Sequence, residues 1–272
     1  MNKKTLLFLF VILPFTILAQ TEKKTATTKK KKKETIYFSW GYNTEWYTKS
    51  TVSVKQSALK DDYSLVNVTA HDHKGWDDGI TNKALSIPQY NYRLGYFFND
   101  KHDLGFEINF DHTKYLITEP QNIHVTGTLN GRHIDSTVNF QQANGFYYYL
   151  NNGANFLLFN ITKRWHLYKS KNELFKVDAL GKFGVGPLVP HVEDMFFGKA
   201  NSPHFQVGGW NTGLEGCIKV VFSDWVFLEY SNKLDYARYS GLKVYSDGTA
   251  KQAFGTYEMI LSLGITIPKT IK

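Results

Sequence analysis

Three groups of side chains in this 272-residue sequence have the types that chemistry uses. The first is a run of acids and imidazoles: Asp61, Asp62, His71, Asp72, His73, Asp77 and Asp78. Carboxylate oxygens and imidazole nitrogens are ligands for divalent cations. Their spacing matches no glycine-framed metal loop, so they are read as a solvated polar segment and no metal is assigned. The second is a set of fourteen charges, the acids Glu45, Glu107, Asp111, Asp178, Glu215, Glu229, Asp235 and Glu258 with the bases Arg93, Arg164, Lys176, Lys182, Lys219 and Lys233. Buried together, near-balanced signs make a structural plug, since each ion avoids the cost of standing alone in a low dielectric. The sharper alternative is a proton or small-ion path through Glu45, Arg93, Glu107 and Arg164. The third is Cys217, which as the single cysteine has no partner for an internal disulfide. No catalytic residue and no cofactor is assigned.

The elements that must position these charges are strands. From Ile36 onward apolar residues recur at every second position, the pattern of a strand with two unlike faces. Ile36, Phe38, Trp40 and Tyr42 oppose Tyr37, Ser39, Gly41, Asn43 and Glu45, and Tyr90, Tyr92, Leu94 and Tyr96 oppose Asn91 and Arg93. Similar segments follow around residues 104–111, 157–166, 175–182, 210–220, 226–235 and 256–263, eight in all. Every one of the fourteen charges falls on the polar set, and the centre of the apolar set carries none. A soluble barrel or sandwich would turn the apolar face inward. Strands of roughly 10 to 12 residues instead suit a tilted membrane crossing, so the sequence predicts an eight-stranded antiparallel up-and-down transmembrane β-barrel over residues 35–268.

The connections alternate in length, which is the asymmetry of such barrels. Long ones are expected at 48–87, 116–152, 187–204 and 240–251, and short ones at 99–102, 168–172 and 223–224. Within NIHVTGTLNGRHIDSTVNF, Asn130 and Gly131 between two alternating runs signal a two-residue hairpin turn. That hairpin either extends the wall or adds a spanning pair, which would make ten strands. Trp46, Tyr90, Trp210 and Tyr236 fall toward the long connections, and Phe98, Trp165, Phe222 and Trp225 toward the short ones, two candidate interface belts. Lys114 and Lys163 fall on the apolar set near strand ends, where a long stem would snorkel.

Residues 1–19, with Lys3, Lys4 and the run Leu6 to Leu13, read as a secretory signal peptide. Residues 20–34 hold Lys23, Lys24 and Lys29 to Lys33 among Thr and Ala, and read as a disordered periplasmic tail. Most of the formal net charge of +8 sits in these two segments, so no folded basic face is left for nucleic acid. An even strand count puts both termini in the periplasm of a Gram-negative bacterium.

The alternating, girdled strands resemble the small outer-membrane β-barrel superfamily, and GYNTEWYTKS and IPQYNYRLGYFF resemble segments of a group of uncharacterised bacterial outer-membrane proteins. The resemblance implies residence in the outer membrane, contact with its lipid and lipopolysaccharide, and assembly by the outer-membrane insertion machinery. The superfamily includes structural, adhesive, lipid-modifying and proteolytic members. The lipid A deacylase pattern, a His followed two positions later by Ser, is met by none of the nine His here; His112 is followed by Thr113 and Lys114. Omptin-like proteolysis would take ten strands and paired acids with His at the rim, and the stretch from His71 to His73 supplies the types only. The chain ends in Pro268 to Lys272 rather than in the aromatic residue common in such barrels. The expectation is a plugged, non-catalytic barrel whose external loops serve an unidentified ligand or envelope integrity. The alternatives are a lipid-modifying or proteolytic barrel enzyme and a small-solute channel.

Overall fold

The computed structural model describes residues 35–73, 89–98, 101–172, 174–223 and 225–268. The signal-like leader, the lysine-rich tail, Asp77 and Asp78 lie outside the described residues. Eight strands form a ring: β1 (Thr35–Tyr47), β2 (Tyr90–Phe97), β3 (Leu104–His112), β4 (Phe156–Lys169), β5 (Phe175–Pro187), β6 (Gly209–Phe222), β7 (Val226–Val244) and β8 (Gly248–Pro268). Each pairs antiparallel with its neighbours in sequence. The ring closes where β1 meets β8, from Thr35 opposite Pro268 to Tyr47 opposite Thr256. This is an eight-stranded antiparallel up-and-down barrel.

Successive side chains of a strand point to opposite faces, and here the apolar set points out. Phe38 and Tyr92 are each 43% exposed and Leu214 61%, while Arg93 and Glu107 on the inner face are 0% exposed. The interior of eight strands is only wide enough for side chains, and glycine makes room where the largest ones cross. A Cβ on Gly95 would lie 2.0 Å from Cζ of Tyr37, and one on Gly264 would lie 2.2 Å from Cζ of Phe227. Tyr37, Phe97, Leu180, Cys217, Val221 and Phe227 accordingly pack as an apolar floor near the end that carries the short turns.

The opposite end carries a folded cap. Strands β7 and β8 run on to Val244 and Gly248 and join through a turn of 3-10 helix, Tyr245–Asp247, so residues 240–251 are mostly strand. Thr249 to Lys251 of β8 pair with Lys55 to Ser53 of a hairpin formed by Ser50–Gln56 and Asp61–Val68. Gln121–Leu129 and Arg132–Phe140 add to that hairpin, and the whole becomes a twelve-stranded sheet of which eight strands make the ring. Asn130 and Gly131 join the last two strands with φ of 50° and 75°, the left-handed pair a type I′ turn requires. This hairpin pairs outside the ring, so the ring has eight strands and not ten. A second sheet of five short strands contains Ala70–His71, Tyr115–Ile117, Tyr147–Leu150, Glu193–Phe196 and Lys199–Ala200. Val52, Val54, Leu65, Ile117, Val125, Leu150 and Phe196 are among the residues buried in the apolar core of the cap.

One side chain departs from the sequence pattern. Lys114 shares the parity of the apolar set, but β3 ends at His112 and Lys114 is only 7% exposed. Its backbone N–H donates to Gln89 Oε1, and its carbonyl accepts from the Tyr47 hydroxyl at 2.7 Å, so it belongs to the mouth and not to the outer surface. Alternation stops predicting a face once the strand has ended.

Candidate functional site

The barrel interior holds two ionic clusters, one above the other. The cluster nearer the floor has Arg93, Lys182 and Lys219 against Glu107, Glu215 and Glu229, three cations and three carboxylates. Lys182 Nζ lies 2.9 Å from Glu107 Oε2, 2.9 Å from Glu229 Oε1 and 3.4 Å from Glu215 Oε1. Arg93 Nη1 bonds Glu215 and lies 3.2 Å from Glu229 Oε1. Tyr37 and Asn160 donate to the two oxygens of Glu107, at 2.6 and 3.2 Å. Lys219 sits over the rings of Phe227 and Tyr37, 3.4 and 4.2 Å from their centroids, a cation–π arrangement.

The cluster beneath the cap is not balanced. Lys233 bonds Asp111 and lies 2.9 Å from Asp235 Oδ2 and 3.5 Å from Glu258 Oε1. Glu45 stands opposite Glu258 in the β1–β8 register and is held by the amides of Asn43 and Gln89. Four carboxylates thus face one lysine, and all five residues are 5% exposed or less. Buried charge of one sign is costly, so the chamber has an excess of carboxylate that only protons or a small cation would balance. An aromatic roof covers it: Tyr115 stacks on Phe254 at 4.5 Å, with Tyr47 5.0 Å from Tyr115 and Tyr239 5.6 Å from Phe254.

The remaining interior candidates lie toward the short turns. Arg164 pairs with Asp103 at 3.2 Å and covers the Phe97 ring at 4.0 Å. Asp178 accepts from His166 at 2.7 Å, and Lys176 is partly buried. Lys219, opposite Asp178 in the β5–β6 register and over the rings of Phe227 and Tyr37, stands at the level of the apolar floor between this end and the charged interior.

Among the described residues, the acids and imidazoles of the run do not converge. Asp72 accepts from Thr44 Oγ1 at 2.7 Å and from the N–H of Glu45 at 2.9 Å. His71 bonds Thr118 and His73 bonds Asn151, at 2.9 and 3.2 Å. Asp62 reaches Lys55 at 3.6 Å on the surface. Among the described residues one trio, Glu215, Cys217 and Glu229, brings three ligand atoms within 4.8 Å of one another. Arg93 and Lys182 already use its carboxylates, which makes the trio a node of the ion network.

Sequence reasoning missed a buried polar group inside the cap. Tyr245 donates to Asp61 Oδ2 at 2.9 Å and meets the Tyr63 hydroxyl at 3.1 Å, and Asn130 N–H donates to Asp61 Oδ1 at 2.6 Å. Burial pushes the Tyr245 and Tyr63 phenols well above their ordinary range. Asp194 is 0% exposed, with Oδ2 accepting from Tyr245 N–H at 3.3 Å and Oδ1 unpartnered. Burial outweighs that single hydrogen bond and raises its carboxyl to about 7. The alternations Val52/Val54 and Tyr63/Leu65 were the available sign that residues 50–68 pack against something.

No family model and no curated protein matches the chain. Among solved structures, the outer membrane protein OprG from Pseudomonas aeruginosa is similar at 12% identity, covering 87% of this chain and 97% of its own, with a TM-score of 0.37. The outer membrane protease OmpT from Escherichia coli is similar at 8% identity, covering 90% and 99%, with a TM-score of 0.39. Neisserial surface protein A is similar at 10% identity, covering 85% and 96%, with a TM-score of 0.32. Likeness at these scores transfers no activity, and the barrel stands on its own closed hydrogen-bond ladder.

Proposed function

We propose that this chain is an integral outer-membrane protein with a closed barrel, both termini in the periplasm, and a folded cap that faces outward for binding or envelope integrity, without catalysis. One observation carries the proposal: the wall exposes aliphatic and aromatic side chains all round while its ions are turned inward. That arrangement is unfavourable in water and favourable in lipid. Bands of exposed aromatics support it, Trp46 against Tyr257 and Trp210 against Tyr236 toward the cap, and Phe98, Trp165, Phe222 and Trp225 toward the short turns. Such rings sit at headgroup level. The apolar floor and the aromatic roof, with the ion pairs between them, support a closed interior.

The test is tryptophan fluorescence in vesicles of brominated phosphatidylcholine. Variants that keep only one of Trp46, Trp165, Trp210 or Trp225 should be quenched more strongly by bromine near the headgroup than by bromine near the chain end. A protein that stays in solution without detergent, its tryptophans untouched by brominated lipid, would refute the proposal. Large sustained single-channel steps in a planar bilayer would favour the small-solute channel. Turnover of lipid A or peptide, lost on substituting His71, Asp72 and His73 together, would favour the enzyme.

A further inference from the structure

Among the described residues, the outer surface carries a basic cavity that neither the ion network nor the apolar belt uses. Where β7 and β8 leave the aromatic band, a cavity of about 420 Å³ opens on the wall, lined among others by Arg238, Lys251, Thr51, Ser53 and Ser240. Arg238 is opposite Trp210 in the register and two residues beyond Tyr236, so the pocket begins at the level of the band on its cap side. No carboxylate lines it. Two cations beside three hydroxyls, with no acid to neutralise them, form a recognition set for a phosphate oxyanion. Its place at the edge of an apolar belt is where lipid phosphates lie.

A second cavity, of about 350 Å³, indents the same face of the wall lower down, lined by Tyr42, Tyr230, Met259 and Leu261 among others. Tyr230 and Arg238 are eight residues apart on β7, which is about 26 Å along the strand and roughly 20 Å of depth at a tilt of ~40°. One leaflet of hydrocarbon is ~15 Å deep. A molecule whose phosphate sits at Arg238 would therefore have the ends of its acyl chains beside the lower groove. A basic polar pocket above an apolar groove, at that separation, has the proportions of one membrane lipid. We propose that the β7–β8 face binds an anionic lipid of the outer leaflet, with its headgroup phosphate held by Arg238 and Lys251 and a chain lying in the groove at Tyr230 and Met259. This rests on the outer-membrane assignment above.

The test is native mass spectrometry of the detergent-solubilised full chain mixed in turn with lipid A, phosphatidylglycerol, phosphatidylcholine or sodium phosphate. Lipid A and phosphatidylglycerol should be retained in preference to phosphatidylcholine. Arg238→Gln with Lys251→Gln should lower that retention on the order of tenfold, the loss of two basic contacts to an anionic headgroup. Ser240→Glu, which places a negative charge in the pocket, should lower it as well. Brominated-lipid quenching of the same proteins separates the two claims. If quenching is intact while retention is indifferent to lipid charge, or survives both variants, this proposal alone is overturned. Retention of sodium phosphate with no advantage for either lipid overturns the lipid as the source of the phosphate. If the wild-type chain is not quenched, both proposals fail.

Discussion

The buried carboxyl of Asp194 gives the cap a pH dependence whose size and sign follow from its surroundings. The residue lies on Glu193–Phe196 of the second sheet and pairs across from Tyr148. Its one acceptor contact is the N–H of Tyr245, and burial carries it from 3.8 to about 7. A folded-state value above the unfolded one means that the folded cap binds more protons between those limits. Stability is then greatest below 3.8 and declines as pH rises until about 7, where the loss is complete. Each pH unit within the window removes at most about 1.4 kcal/mol, and the full window removes on the order of 4 kcal/mol. Local opening is measured by hydrogen exchange at the amides of Asp194 and Tyr245, which are bonded to Asn201 Oδ1 and Asp194 Oδ2. After correction for intrinsic exchange, protection should fall by up to about tenfold per pH unit across the window where opening exposes the carboxyl. Asp194→Asn keeps the shape, cannot ionise, and should flatten the profile while raising protection above pH 7. Protection that is flat or rising in the wild type, or a slope that survives in Asp194→Asn, would refute the reasoning.

Other perturbations test the barrel itself. Lys182→Met removes the cation shared by Glu107, Glu215 and Glu229 and should cost about 3–5 kcal/mol, because it leaves buried carboxylates short of a partner. The temperature at which the folded band is lost on semi-denaturing gels should fall, and adding Glu107→Gln should recover part of it. Gly95→Val places side-chain carbon where the Tyr37 ring now lies and displaces the hydroxyl that donates to Glu107 at 2.6 Å. Overpacking of this kind costs roughly 1–3 kcal/mol, and urea unfolding in bilayers should show a lower midpoint; an unchanged midpoint would mean that the interior yields more easily than the contacts imply.

The barrel was legible because its signal is local and repeated. A period of two needs no knowledge of partners, and charges confined to one phase from Glu45 to Glu258 reveal which face turns inward. The Asn130–Gly131 turn was legible for the same reason, since two residues define its dihedral angles. The cap was not. Its strands come from separate connections, so Tyr149 meets Leu116 and Tyr148 meets Asp194 only through long-range pairing. Short runs such as Val52 and Val54 alternate like any surface hairpin, and nothing in them names the sheet that covers them.

The same limit hid the uneven distribution of charge. Counted along the chain, the fourteen polar-face charges are nearly balanced, eight acids to six bases. Register sorts eleven of them into one balanced cluster and one acidic chamber and leaves Arg164, Lys176 and Asp178 toward the short turns, because Glu45, Glu258 and Lys233 stand abreast on β1, β8 and β7. The chamber lies at the mouth, where water would otherwise solvate its carboxylates, and the roof of Tyr47, Tyr115, Tyr239 and Phe254 covers it. β7 and β8 run from the chamber into the cap with one shift of register between Tyr239 and Leu242, and Lys233, Asp235, Tyr239 and Val244 lie on one strand. Loosening the cap therefore admits water to the carboxylates and lowers the cost of their charge. A change that adds negative charge beneath the roof should therefore favour the open cap.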